Sequence, residues 1–290
     1  MLDLALIKPI IQSALEEDIG RGDITGEATI SPSSYGRARI ITEEEGVLAG
    51  IEVAKEVFRL VSLGEVKFSC ELKDKAILTK GKSILILETD TLSILKGERV
   101  ALNFLSRLSG IATLTKKYVD LASPFGVKVF DTRKTTPNLR NLEKYAVRIG
   151  GGFNHRFGLD SGVLIKDNHI EMCGGVKKAV ERARRRVSSF LKIEVEVGNL
   201  SEVKETIEAK VDAIMLDNMR IEETKEAVRL IRKEKRKILI EASGGVTLEN
   251  ITDIASTGID LVSVGRLTHS VKSLSMSLQI IPHSVSSLKE

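Results

Sequence analysis

Residues 130–170 read FDTRKTTPNLRNLEKYAVRIGGGFNHRFGLDSGVLIKDNHI. Apolar, β-branched runs bracket the stretch, VKVF ending at Phe130 and SGVLI ending at Ile165, and a helical pattern over residues 139–148 lies between them. Strand, helix, strand is the unit of a parallel sheet, because the chain needs a long crossover to return to the same end. The same stretch concentrates cations: Arg133, Lys134, Arg140, Lys144, Arg148, Arg156 and Lys166, with His155 and His169 beside them. Arg133-Lys134, His155-Arg156 and Lys166 fall at strand ends or in glycine-rich loops, where a βα fold gathers the groups that touch a ligand. Guanidinium and ammonium groups converging on one pocket imply an anionic substrate with several carboxylates or phosphates.

Outward from this stretch the rhythm repeats. The runs LKIEVEV, AIML, KILIEA and LVSV follow, separated by helical patterns over residues 176–187, 201–210, 221–234 and 248–256. Six such units predict a parallel α/β barrel, with a doubly wound sheet as the alternative. Six strands are fewer than the eight of a closed barrel, so the barrel is expected to be open or incomplete. Residues just after each run then share one rim: Asp131, Arg133 and Lys134; Lys166 and Asp167; Glu194 and Glu196; Asp217 and Asn218; Ser243, Gly244 and Gly245; Gly265 and Arg266. Charged or glycine-rich clusters at every strand end predict a catalytic rim. IEASGGV and SVGRLTHS each precede a helix, and either could be an ordinary tight turn. Occurring as a pair after the last two strands, they predict a phosphate site. Glu194, Glu196, Asp217 and Asn218 offer hard oxygen ligands, which favours Mg²⁺ shared with a substrate phosphate over zinc.

The first hundred residues mix strand and helix signals without regular alternation, predicting an α+β sandwich domain. Leu4, Ile7, Ile10, Ile11, Ala14 and Leu15 recur at helical spacing. EDIGRGDITG reads as a structured turn, not a phosphate loop, since it lacks the flanking strand and helix of a dinucleotide fingerprint. Residues 91–122 form one long helical pattern linking the domains, where Gly97 and Gly110 predict close packing or a bend. Within it, Arg99 and Arg107 read as solvated. SLSMSLQI, residues 273–280, alternates polar and apolar and is expected to pair with the N-terminal sheet. The predicted boundaries are 1–110 for the first domain, joined by a strand from 270–290, and 111–269 for the barrel.

Composition excludes several classes. The 290 residues carry 44 Lys and Arg against 40 Asp and Glu, a net charge of +4, and no basic run is interleaved with aromatics as a nucleic-acid surface requires. The run RARRR, residues 182–186, is expected to be the solvated end of a helix. Cys70 and Cys173 match no metal or disulfide spacing, as befits a reducing compartment. No signal peptide or membrane-spanning run is apparent, so a cytoplasmic location is expected.

The segments EDIGRGDIT, GVLAG, GERVALNFLSRLSGIAT, DTRKTTPNLRNLEKYAVRIGGGFNHRFGL, VLIKDNHI, IEVEV, IMLDN, EASGGV and VGRLTHS together resemble the quinolinate phosphoribosyltransferase family, in family order over nearly the whole chain. The resemblance implies transfer of phosphoribosyl from 5-phosphoribosyl-1-pyrophosphate to quinolinate, with release of pyrophosphate and CO2, in NAD biosynthesis. It implies that Arg133, Lys134, His155, Arg156 and Lys166 bind quinolinate, and that Arg99 reaches the substrate from a neighbouring subunit of at least a dimer, against the solvated reading of that residue. It matches Glu196 and Asp217 to the positions facing ribose and metal, and Ser243, Gly244, Gly245 and Gly265 to the phosphate-binding backbone. Lys134, Lys166, Glu196 and Asp217 are the candidate catalytic groups. Arg140, Lys144 and Arg148 are expected on the surface. Arg266 stands where the family commonly has a small residue. A phosphoribosyltransferase for nicotinate or another anionic heterocycle, or a non-catalytic phosphate-binding relative, are the alternatives.

Overall fold

The computed structural model describes residues 2–281 except Glu71 and the side chain of Cys70. In chain order its elements begin α1 (Leu4–Ile19), α2 (Ile24–Thr29), β1 (Tyr35–Thr42), β2 (Gly46–Val47), α3 (Ile51–Val61), β3 (Lys67–Cys70), β4 (Ile77–Leu78), β5 (Ser83–Asp90) and α4 (Thr91–Ala122). They continue β6 (Lys128–Phe130), α5 (Arg140–Ile149), β7 (Val163–Ile165), α6 (Asp167–Cys173), α7 (Val176–Arg186), β8 (Ile193–Val197) and α8 (Leu200–Glu208). The last are β9 (Ala213–Asp217), α9 (Ile221–Arg232), β10 (Leu239–Ser243), α10 (Ile251–Ala255), β11 (Leu261–Ser263), α11 (Arg266–His269) and β12 (Met276–Ile281). Among the described residues no helix is long and apolar enough to cross a membrane.

Two compact units result. The first takes residues 1–114, 136–151 and 271–290, and the second takes 115–135 and 152–270. Residues 136–151, expected in the barrel domain, thus group with the first unit. Residues 282–290 of the expected C-terminal strand lie outside the described residues.

In the first unit an antiparallel sheet runs in the order β12-β1-β5-β3. β1 alternates exposed and buried positions, so one face can enter a core while the other stays wet. β12 pairs along β1, with Ala38 opposite Ile280 and Ile40 opposite Leu278, as the alternation of SLSMSLQI predicted. Ile40, Leu85, Leu87 and Phe58 are fully buried, and burying such side chains stabilises by about 1.5–3 kcal/mol each. Gly50 opens α3 with φ +105°, and the Asp74 carboxylate accepts the N–H groups of Gly50 and Ile51 at 3.0 and 3.1 Å. Both α4 glycines mark close packing: a Cβ on Gly97 would lie 2.7 Å from the Phe58 ring, and one on Gly110 would meet the Lys272 carbonyl.

Three sequence expectations fail here. EDIGRGDITG is not turn throughout, because Asp23 accepts the Gly26 N–H at 2.9 Å and caps the short helix α2. On α5, Lys144 is not on the surface but 3% exposed, and neighbouring Glu143 is fully buried. Glu143 accepts from Arg107 Nε at 2.9 Å and from the Thr136 N–H at 3.1 Å, so Arg107 is not a solvated residue either.

The second unit holds a six-stranded sheet in the order β6-β11-β10-β9-β8-β7, every pairing parallel. Its two ends, β6 and β7, do not pair with each other, so the barrel is open. Phe153 adds a single bridge beside Phe130, and their rings stack at 5.4 Å. The central strand β9 is buried over Ala213–Leu216, as a strand covered on both faces must be. Parallel pairing brings the C-terminal ends of all six strands to one rim.

Candidate active site

That rim surrounds a cavity of about 530 Å³. The loop after β6 contributes Arg133 and Lys134, and the segment after the glycine triplet contributes His155 and Arg156. Lys166 follows β7, Glu196 comes from β8, Asp217 ends β9, and Ser243-Gly244-Gly245 follow β10.

Local interactions place these groups. Asp131 is fully buried; its carboxylate accepts from Asn154 Nδ2 at 2.6 Å and from the His155 N–H at 2.9 Å. That bracket ties the two cationic segments together. The Lys166 N–H donates to His169 Nδ1 at 3.0 Å, which sets the start of α6. Thr268 Oγ1 donates to the Lys134 carbonyl at 2.8 Å. Asn218 adopts φ +53°; its N–H donates to the Ser243 carbonyl at 2.9 Å and its Nδ2 to Asp217 Oδ2 at 2.7 Å. One asparagine thus orients both the acid and the glycine turn. Gly244 has φ +87°, and a Cβ there would sit 2.6 Å from Asn218 Nδ2. Gly244→Ala is therefore expected to raise KM for a phosphorylated substrate by roughly tenfold, through backbone strain and displacement of Asn218. Steady-state kinetics would check this, and an unchanged KM would refute it.

The cavity is electrostatically prepared for an anion. Partial burial and the adjacent Arg133 charge hold the Arg156 guanidinium below its ordinary pKa, so an incoming anion relieves a real repulsion. Arg156 also donates to the Gly162 carbonyl at 3.1 Å, which aims its fork. Lys166 forms an ion pair with Glu196, while Asp217 ends the adjacent strand β9, next to β10 and its glycine turn.

Glu194 and Glu196 share a face of β8 but do different things. Glu194 lies deeper in the barrel, where its Oε2 is 3.2 Å from His155 Nε2, and Glu241 Oε2 on β10 is 3.5 Å from the same nitrogen. Burial disfavours a charge on the His155 ring, and the bonds to Glu194 and Glu241 favour a proton on its Nε2. Burial, with the Glu241 charge, pushes the Glu194 carboxyl up.

The sequence carries the matching record. Residues 23–109 match the family model described as quinolinate phosphoribosyl transferase, N-terminal domain, and residues 111–279 match that of the C-terminal domain. The chain belongs to the quinolinate phosphoribosyltransferase family. A probable nicotinate-nucleotide pyrophosphorylase (carboxylating) of Synechocystis sp. is 44% identical over 276 residues, covering 95% of this chain and 93% of the relative. One from Methanocaldococcus jannaschii is also 44% identical, over 94% of this chain and 96% of the relative. The solved structure of the nicotinate-nucleotide pyrophosphorylase from Francisella tularensis is similar with a TM-score of 0.91 at 40% identity, covering 97% of this chain and 98% of that one.

Within this family member, the candidate residues of the second unit converge on the one cavity. Gly265 is beside it: a Cβ there would lie 3.3 Å from Lys134 Cδ. Arg99 is exposed on α4 in the first unit and does not line the cavity. Arg266 is exposed. Thr132, Leu164 and Met215 line the cavity without having been singled out, the last two as its apolar wall. Glu241 was missed, although a carboxylate inside the apolar run KILIEA was a visible signal.

Proposed function

We propose that the cavity transfers phosphoribosyl from 5-phosphoribosyl-1-pyrophosphate to quinolinate and releases CO2, forming nicotinate mononucleotide and pyrophosphate for NAD synthesis. The observation that carries this reading is the pair Arg133 and Arg156, which line one cavity with Lys134 and Lys166, close enough for the Arg133 charge to act on Arg156. Two guanidinium forks suit a dianion with adjacent carboxylates better than a monoanion. His155 completes that side. Ser243, Gly244, Gly245 and Gly265 offer a backbone turn to the donor's phosphate.

The pyridine nitrogen attacks C1 of the ribose as pyrophosphate departs. Glu196 and Asp217 face the developing positive charge on the sugar. Quaternising the nitrogen lets the electron pair of the adjacent C–CO2⁻ bond stay on that ring carbon as an ylide when CO2 leaves, and a proton from water or from the Lys134 or Lys166 ammonium then takes the place of the carboxylate. A cation beside that carboxylate, Lys134 or Lys166, stabilises the charge that forms. Glu196 and Asp217 form an oxygen-only donor set that fits Mg²⁺ held jointly with phosphate oxygens. Such an ion would neutralise the leaving group.

The deciding assay supplies quinolinate, donor and Mg²⁺ and follows CO2 and the mononucleotide. Product with nicotinate but none with quinolinate would overturn the reading. We further propose a homodimer or higher oligomer in which Arg99 serves the site of a neighbouring copy, a reading supported by its exposure on α4. Arg99→Ala and Lys166→Ala should each be inactive alone. Mixed as dimers after reversible dissociation, they should recover roughly a quarter of wild-type turnover, since half the dimers then hold one intact site of two. No recovery would contradict a shared site.

A further inference from the structure

The cluster of His155, Glu194 and Glu241 lies inside the barrel, beneath the cavity that holds the candidate catalytic groups. Its three ligand atoms lie within 4.8 Å of one another, and buried Glu241 Oε1 has no partner among the described residues. Those features would suit a metal ion. The other ring nitrogen decides against it. The backbone N–H of Arg156 donates to His155 Nδ1 at 2.8 Å, so Nδ1 carries the lone pair and Nε2 carries the proton. A protonated Nε2 has no lone pair for a metal. It donates instead, with Glu194 Oε2 and Glu241 Oε2 in front of it.

We propose that Glu194 and Glu241 are positioning residues that lock His155 in its Nε2–H tautomer and, through Nδ1, fix the backbone of Arg156. The chain of bonds runs from the barrel-interior carboxylates through the imidazole to the peptide N–H of the residue whose guanidinium faces the cavity. Asp131 holds the same segment from its other side, at the His155 N–H. Both ends of the His155-Arg156 peptide segment are therefore anchored to buried carboxylates, one directly and one through the ring.

The inference rests on His155 and Arg156 binding the pyridine dicarboxylate, and its test separates the two. The full-length wild-type enzyme is first assayed with quinolinate and the phosphoribosyl donor; failure there sinks the functional reading and says so before any variant is made. Glu194→Ala and Glu241→Ala are then compared with Glu194→Gln and Glu241→Gln. Loss of the anchor should raise KM for quinolinate by roughly tenfold in the alanine variants, with KM for the donor changed less than about twofold. Glutamine should restore KM to within about threefold of wild type, because it still offers an oxygen to Nε2–H. Nitrogen-15 spectra of the histidine ring should show a protonated Nε2 and a bare Nδ1 in wild type and in the glutamine variants. Equal rises in both KM values, glutamine variants as impaired as alanine, or a wild-type Nε2 without its proton would each overturn the proposal.

Discussion

Arg156→Ala is expected to lower kcat/KM for quinolinate by on the order of 10²–10³-fold, the loss expected when one member of a desolvated, hydrogen-bonded charge pair is removed. The geometry concentrates the effect on one substrate. Arg156 shares its wall with Arg133, and partial burial already holds its guanidinium below the ordinary pKa. An anion bound there meets two forks with little competing water, where charge-assisted bonds are strongest. Donor binding, proposed to rely on the glycine turn after β10, should be little affected. Arg156→Lys should recover only part of the loss, because an ammonium supplies charge without the planar fork. A loss below tenfold in the alanine variant, or an equal loss for the donor, would count against the assignment.

Glu143→Ala is expected to destabilise the first unit by about 3–5 kcal/mol, the range for breaking a buried ion pair by deleting one partner. Glu143 is fully buried and accepts from Arg107 Nε and from the Thr136 N–H. Its removal takes the carboxylate from a guanidinium whose side chain is only 28% exposed and which keeps its bond to Thr136 Oγ1, and orphans a backbone donor. Glu143→Gln keeps an acceptor for both and should cost markedly less. Urea unfolding would resolve the two variants, and equal losses would show that packing, not charge, sets the stability here.

The barrel was legible from sequence because strands covered on both faces must be apolar throughout, and AIML and LVSV are unambiguous on that ground. The rim followed, since parallel pairing leaves no choice about which strand ends meet. Glu143, Lys144 and Arg107 were not legible. Charged residues on an amphipathic helix look solvated, and here burial depends on a partner 36 positions away in the chain. The short helix α2 was hidden by the two glycines before it, Gly20 and Gly22, which read as turn. Asp131 was correctly placed at a strand end, but only coordinates reveal that it is buried and holds Asn154 and His155. The place of Arg99 had no local signal at all; only the resemblance of the GERVALN segment pointed to it.

The order in which the chain visits its two units restricts how the protein can be cut, copied or recombined. Residues 136–151 belong to the first unit, yet they separate Arg133 and Lys134 from His155 and Arg156 in the second. Residues 271–290 return to the first unit after the last strand of the barrel. No single breakpoint in a gene encoding this chain separates the two units cleanly. A break near residue 114 strands α5 with the barrel, and one near residue 270 removes a strand from the antiparallel sheet. A single crossover near either boundary would therefore keep the barrel from one parent but divide the core of the first unit between two, and residues 136–151 would always be inherited with the cationic segments they separate.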